Sequence, residues 1–256
     1  MKISVVINCD SRPENGIAER MFEGTSSYDF LLEGVLNKVN FFKGFNTEFI
    51  VHIDHHLDIP PYILEELQTV TDTLIIRRHT GEENFNDYNY LRGLKQATGD
   101  IVVHFDQDTA AFTSSPEPIQ KLIDLLDTYK YVSYPSYWSP NPCEDATFNY
   151  FWASTRFFMC KRETLDFAEI QKCLTDYDYF VAKYKPSRVC HWLEHILSLT
   201  AGNSVFYPPL DTHNYTIFSW GSYKEGTLKM LNQMNYEGIK NWGASHPIRY
   251  PNDVDA

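Results

Sequence analysis

The chain has 256 residues, of which 43% are hydrophobic and 22% are charged, which suits one large folded domain and excludes wholesale disorder. Its 34 acidic side chains outnumber its 22 basic ones, so the net charge is −12. That balance argues against a general nucleic-acid binder, because neutralising phosphates needs a basic surface.

The opening residues, MKISVVINCD, contain an apolar run that is too short for the core of a signal peptide. No later run approaches the roughly 18 apolar residues of a membrane span. The five cysteines include no C-x-x-C pair and are odd in number, which favours reduced thiols. We therefore expect a cytoplasmic protein with no transmembrane segment, and peripheral attachment to a membrane is compatible with this.

Short apolar runs alternate with helical patterns along the first half of the chain. The runs are rich in Val and Ile and nearly continuous, as in strands buried on both faces. The predicted strands cover residues 3–7, 48–54, 73–77 and 100–105. The predicted helices run from about Ser26 to Phe42, from Pro60 or Pro61 to about Val70, and from Phe85 to Ala97, where Gly99 marks a helix stop. This order predicts a mostly parallel sheet whose ligands bind at the carboxyl ends of the strands.

The second half is less regular and rich in aromatic residues. A helix is expected from about Pro116 to Thr128, followed by a strand in KYVSYPS and an extended segment in STRFFMCK. Further helical patterns cover residues 163–173, 190–201 and 223–236. With no repeat and no clear linker, we expect one α/β domain over residues 1–256.

Two aspartates, Asp106 and Asp108, follow the fourth predicted strand in GDIVVHFDQD. Two carboxylates one residue apart in a tight loop can converge on a divalent cation such as Mg²⁺ or Mn²⁺, leaving positions open for phosphate oxygens. A solvated turn capped by an aspartate is the structural alternative.

Three stretches resemble the GT-A glycosyltransferases, most closely those of family 2. The opening strand of that family often reads VVIPTYNR, and this chain has VVINCDSR at residues 5–12. The family's second strand ends in an aspartate that meets the nucleotide base, which corresponds to Asp54. The family also has A-x-G-D, then an apolar strand, then D-x-D. This chain has ATGDIVVHFDQD at residues 97–108. The resemblance covers roughly residues 1–110 well.

The resemblance implies a GT-A fold, with a mostly parallel central sheet flanked by helices and an irregular C-terminal half. It further implies a nucleotide-sugar-binding half over residues 1–115 and an acceptor-binding half over residues 116–256. The implied activity is metal-dependent, inverting transfer of a sugar from a nucleotide-diphosphate donor to a glycan, lipid-linked or protein acceptor, with Mn²⁺ or Mg²⁺ as cofactor. The implied donor-binding residues are Asn8, Cys9, Asp10, Arg12, Asp54, Arg92, Asp106 and Gln107. The implied metal ligands are Asp106, Asp108 and His213.

The string HWLEH, residues 191–195, allows two interpretations of Glu194. It matches the H-x-x-E-H motif of inverzincin metalloproteases, whose histidines bind zinc from one helix face. That interpretation needs a glutamate well downstream, and the remaining residues offer only Glu225 and Glu237. The resemblance instead implies a carboxylate base at the start of a helix in the acceptor half. We therefore predict Glu194 as the catalytic base, with both histidines as ordinary helix residues.

Two other functions stay open at this point. A nucleotidyltransferase has a similar sheet, usually with a Gly- and Arg-rich first loop that carries a lysine; CDSRPENG, at residues 9–16, lacks the lysine. A catalytically silent module that binds sugars or nucleotides is the other alternative, and an assay of donor hydrolysis separates it from an enzyme.

Overall fold

The computed structural model describes residues 1–10, 27–55, 59–78, 87–107, 109–113, 115–133, 153–186, 193–202, 204–206 and 215–219. The strands in these ranges are β1 (Ile3–Asp10), β2 (Thr47–His55), β3 (Thr73–Arg78), β4 (Ile101–Asp106), β5 (Thr109–Thr113), β6 (Tyr131–Ser133), β7 (Phe157–Lys161), β8 (Val205–Phe206) and β9 (Tyr215–Ser219). The α-helices are α1 (Ser27–Phe41), α2 (Pro61–Val70), α3 (Asp87–Gln96), α4 (Pro116–Asp124), α5 (Phe167–Thr175), α6 (Tyr177–Tyr184) and α7 (Leu193–Thr200).

Seven strands form one sheet in the order β3-β2-β1-β4-β7-β6-β8. The first four run parallel to one another, which confirms the predicted α/β fold with a mostly parallel sheet flanked by helices. Strand β7 runs antiparallel to both of its neighbours, so its amino end lies beside the carboxyl end of β4. Strands β5 and β9 pair separately as a two-stranded antiparallel sheet.

Apolar side chains cover both faces of the central strands. On one face, Val5 and Ile7 pack in a core with Val35 of α1. On the other face, Val6 packs in a second core with Leu91 of α3. Burial on both sides explains why these strands are almost continuously apolar in sequence. None of the helices in the described ranges combines the length and the apolar character that crossing a membrane would require.

The helical pattern predicted over residues 163–173 is partly wrong in its boundaries. A 3-10 turn occupies Arg162–Thr164, and α5 begins only at Phe167. The start of α5 is set by Asp166, whose carboxylate accepts a hydrogen bond from the backbone nitrogen of Glu169 at 3.0 Å. Helix α6 was not predicted, and the pattern at residues 223–236 lies outside the described residues.

A buried carboxylate, Glu48, ties the amino end of the sheet together. It accepts hydrogen bonds from the ammonium of Lys2, the hydroxyl of Ser4 and the backbone nitrogen of Thr98. Although burial opposes it, this set of donors lowers the pKa of Glu48 to about 2. The cluster lies at the end of the sheet opposite the D-x-D aspartates, where it holds β1, β2 and the segment before β4 in register.

Candidate active site at the carboxyl edge of the sheet

Strand register brings three polar residues together at the carboxyl edge of the sheet. Asn8 of β1 lies between His52 of β2 and Asp106 of β4. Asn8 is only 5% exposed, and among the described residues its side-chain amide has no hydrogen-bond partner on either atom. Because buried polar groups are normally hydrogen-bonded, this amide is a group that a bound ligand can satisfy.

Asp54 lies at the same edge, two residues after His52 on β2. Both side chains are buried, and the Nε2 atom of His52 lies 3.8 Å from the Oδ1 atom of Asp54. Asp54 pairs in register with Asp10. The end of β2 therefore places a carboxylate next to the end of β1, where the sequence predicted contact with the nucleotide.

Asp106 is partly exposed at the last position of β4. The next peptide is held in place, because the backbone nitrogen of Gln107 donates to the carbonyl oxygen of Asn8 at 2.8 Å. The Asp106 carboxylate and the amide oxygen of Asn8 are oxygen ligands of the kind that Mg²⁺ and Mn²⁺ prefer. Asp108 lies outside the described residues, and the part of the chain that is described contains no group of three or more potential metal-ligating side chains.

Glu194 lies in the first turn of α7 and is partly buried. Its Oε1 atom accepts two hydrogen bonds from Thr155, one from the backbone nitrogen at 2.8 Å and one from the hydroxyl at 3.1 Å. Burial raises the pKa of Glu194, against the opposing effect of these two bonds and of the nearby Arg156 charge. A raised carboxyl pKa suits proton transfer near neutral pH.

Residues 153–156, here called the bridging segment, connect Glu194 with the D-x-D strand. Thr155 bonds to Glu194, and the carbonyl oxygen of the next residue, Arg156, accepts from the backbone nitrogen of Asp106 at 3.3 Å. At the other end, the backbone nitrogen of Ala153 donates to the hydroxyl of Ser198 on α7 at 2.7 Å. The segment therefore fixes the start of α7 relative to the carboxyl end of β4.

His104 supports the bridging segment from within the sheet. Its Nδ1 atom lies 2.5 Å from the carbonyl oxygen of Thr155, and its ring stacks on Phe158 with the centroids 5.2 Å apart. Burial lowers the pKa of His104 to about 3, although the bond to Thr155 opposes this. The ring is therefore neutral at physiological pH, and Nδ1–H must donate because a carbonyl can only accept.

The family profile of Glycosyl transferase family 2 matches residues 28–182, more than half of the chain. The chain belongs to glycosyl transferase family 2. This assignment confirms the resemblance drawn from the sequence and identifies the chain as a glycosyltransferase. No curated protein sequence matches it.

Solved glycosyltransferase structures resemble this family 2 chain weakly. The galactosyltransferase LgtC, in complex with donor and acceptor sugar analogues, is 14% identical with a TM-score of 0.45, covering 80% of this chain and 72% of that one. TarS of S. aureus, residues 1–349 in complex with UDP, is 16% identical with a TM-score of 0.46, covering 84% and 60%. The mannosyltransferase PcManGT from Pyrobaculum calidifontis, in complex with GDP-Man and Mn²⁺, is 14% identical with a TM-score of 0.42, covering 78% and 68%. The chain thus spans less than two thirds of that TarS structure.

Of the remaining predicted site residues of this glycosyltransferase, Cys9 and Arg92 have described side chains, and neither hydrogen-bonds to the Asn8 amide. Cys9 is buried in the apolar core on the α1 face, because neighbouring residues of a strand face opposite sides. Arg92 is exposed on α3, and no hydrogen bond or ion pair joins it to another candidate that the structure describes. For Asp10 only the backbone is described, and Arg12 and His213 lie outside the described residues.

Four residues that contact the site were not predicted from sequence. Thr155 holds Glu194, and His104 holds Thr155, as described above. Asn37 and Lys38 of α1 contact the segment around the D-x-D aspartates. Of these four residues, only Lys38 could have been found from the sequence. It lies seven residues after the buried Leu31, so a charged residue occupies the apolar stripe of its helix.

Proposed function

We propose that this chain is a metal-dependent, inverting glycosyltransferase that moves a sugar from a nucleotide-diphosphate donor to an acceptor hydroxyl. The observation that carries the proposal is the bridging segment, which joins Asp106 on the donor side to Glu194 on the acceptor side through two consecutive residues. An inverting transfer needs both parts close together, because the hydroxyl attacks C1 as the diphosphate leaves from the opposite face.

Asp106, together with Asp108, would hold Mn²⁺ or Mg²⁺ at the carboxyl edge of the sheet. A divalent cation there supplies Lewis-acid stabilisation of the charge that develops on the leaving diphosphate. The buried amide of Asn8 and the carboxylate of Asp54 offer hydrogen bonds to the nucleoside, which orients the donor across the ends of β1 and β2.

Glu194 would accept the proton of the acceptor hydroxyl as its oxygen forms a bond to C1 and the bond from C1 to the diphosphate oxygen breaks. Thr155 fixes Oε1 of Glu194 through two donors, and neutral His104 fixes Thr155 in turn. These contacts orient the carboxylate without neutralising it. The acceptor, a glycan, a lipid-linked molecule or a protein, would enter from the side of α7.

A thermal-shift scan of UDP-, GDP- and dTDP-linked sugars, with Mn²⁺ or with EDTA, tests the donor and metal parts of this proposal. A true donor should raise Tm only when metal is present, since a ligand that binds the folded state stabilises it by mass action. Asp106→Asn should lose this shift, while the exposed variant Asp124→Asn should keep it. Equal shifts with EDTA would contradict metal dependence.

Product analysis then separates the remaining functions. Transfer or slow hydrolysis of the stabilising donor, with release of nucleoside diphosphate, is the expected result. Pyrophosphate released from a nucleoside triphosphate and a sugar phosphate would indicate a nucleotidyltransferase. Binding without any turnover in the presence of a broad acceptor set would indicate a silent binding module.

A further inference from the structure

Asn37 of α1 holds the strand that follows the D-x-D aspartates. Its Oδ1 atom accepts from the backbone nitrogen of Ala111 at 2.8 Å, and its Nδ2 atom donates to the carbonyl oxygen of Ala111 at 3.0 Å. The side chain thus satisfies both backbone groups of one residue of β5, as a neighbouring strand would. Helix α1 and β5 are locked together at this point.

Lys38, the next residue of α1, holds the D-x-D segment itself. Its side chain is 0% exposed, and its Nζ atom donates to the carbonyl oxygen of Gln107 at 2.9 Å. Nζ also lies 5.8 Å from the ring centroid of Phe105. Burying an ammonium is costly, and an apolar side chain of similar volume would fill such a position without that cost. A lysine at this position therefore needs a reason other than packing.

Gly34, one turn earlier on α1, shows how closely the helix approaches Gln107. An ideal Cβ atom on Gly34 would lie 2.7 Å from the carbonyl oxygen of Gln107, which is too close for any side chain. The backbone nitrogen of Gln107 is bonded to Asn8 on its other side. The peptide between Asp106 and Asp108 is therefore held from β1 and from α1 at once.

We propose that Asn37 and Lys38, here called the α1 clamp, are positioning residues that hold the D-x-D segment in the orientation in which it binds metal. The proposal rests on the metal-dependent function proposed above. Its physical basis is preorganisation, because a loop that is already held in its binding conformation binds a cation without a further cost of ordering.

The geometry, and not the charge, of Lys38 has to supply this effect. A fixed positive charge near a divalent cation weakens metal binding by Coulomb repulsion. Removal of the ammonium would therefore tighten Mn²⁺ binding if charge dominated, and weaken it if the hydrogen bond to Gln107 dominated. The two possibilities predict opposite changes in Mn²⁺ affinity when the ammonium is removed. The α1 clamp requires that the affinity fall.

The experiment titrates the whole chain with Mn²⁺ alone and follows the free ion by electron paramagnetic resonance, well below the Tm of each variant. Lys38→Met keeps the length of the side chain and removes the donor, and should weaken Mn²⁺ binding by about tenfold, the usual effect of one lost hydrogen bond of about 1.4 kcal/mol. Asn37→Leu should weaken it by roughly threefold or more. Lys43→Met, an exposed lysine beyond the end of α1, is the matched control and should bind as the wild type does.

Asp106→Asn separates failure of the clamp from failure of the proposed function. If Asp106→Asn loses Mn²⁺ binding while Lys38→Met and Asn37→Leu keep wild-type affinity, or bind more tightly, the clamp is wrong and the metal site stands. If Asp106→Asn binds Mn²⁺ like the wild type, both are wrong. If Lys38→Met does not fold, Asn37→Leu decides alone, because Asn37 is only partly buried and its replacement removes no buried charge.

Discussion

The backbone nitrogen of Asp106 donates to the carbonyl oxygen of Arg156 across 3.3 Å. This bond joins the last residue of β4 to the residue before β7, at the place where the sheet changes from parallel to antiparallel. The bond places the bridging segment, which contacts Glu194, beside the candidate metal ligand Asp106. Changes in the bridging segment should therefore affect both halves of the reaction.

Glu194→Gln keeps the shape of the side chain and removes its basicity. We expect kcat to fall by about 10²–10⁴-fold, the usual contribution of a general base, while donor binding and folding persist. Steady-state transfer assays and a donor thermal shift measure the two effects. Glu169→Gln is the control and should retain kcat, because Glu169 of α5 is a carboxylate held by Lys183 and Tyr184 of α6. Nearly full activity in Glu194→Gln would indicate a retaining mechanism or another base.

Thr155→Val should shift the pH profile of kcat/KM. The Thr155 hydroxyl lowers the pKa of Glu194 against the effect of burial, so its loss should raise that pKa. Because the base acts in its ionised form, the acidic limb of the profile should move to higher pH. Thr155→Ser keeps the hydroxyl and should restore the wild-type limb. An unmoved limb in Thr155→Val would show that Glu194 is not the group that titrates.

Asp54→Asn should raise the donor KM by roughly tenfold, as expected for one lost contact, and change kcat little. The reason is that Asp54 lies at the end of β2, paired with Asp10 of β1, and β1 and β4 separate it from β7 and the bridging segment. Initial rates over a range of donor concentrations give KM and kcat separately, and circular dichroism verifies folding. A fall in kcat at unchanged KM would contradict the placement of the nucleoside at this edge.

Glu48→Gln should destabilise the protein at neutral pH but leave transfer activity at that pH unchanged. The pKa of Glu48 is about 2 in the folded chain, below its ordinary value of 4.5. Its ionisation therefore stabilises the fold above about pH 4.5, and that contribution disappears as pH falls towards about 2. We expect a loss of roughly 2 kcal/mol at pH 7, reduced by the partial exposure of Lys2. Urea unfolding measures the free energies of unfolding of the wild type, of Glu48→Gln and of the exposed control Glu65→Gln. These free energies should converge at low pH.

The parallel half of the fold was predictable because its signals are local. A strand buried on both faces is apolar at almost every position, and the four predicted runs correspond to β1 to β4. Gly99 was interpreted as a helix stop, but the structure gives another reason for it. An ideal Cβ atom there would lie 2.7 Å from the carbonyl oxygen of Lys2, so the glycine permits close contact with the start of β1.

The contacts around the site were not predictable because they join distant parts of the chain. Thr155 and Glu194 are 39 residues apart in sequence, and Lys38 and Gln107 are 69 apart. Neither periodicity nor a motif encodes such a pair. A threonine before a strand looks like any loop residue, and its partner becomes visible only when β7 is placed antiparallel to β4.

Ser133 and Ser154 are 21 residues apart in sequence, yet the backbone nitrogen of Ser154 donates to the hydroxyl of Ser133 at 2.8 Å. The same hydroxyl donates to the carbonyl oxygen of Phe157 at 3.0 Å. The two serines are therefore held together at the carboxyl end of β6, whatever residues connect them. A graft between these residues has two attachment points whose separation the hydrogen bond already sets. Segments of different length and composition can thus be exchanged between these two serines, in the laboratory or in evolution, while the strand pairing on either side is retained.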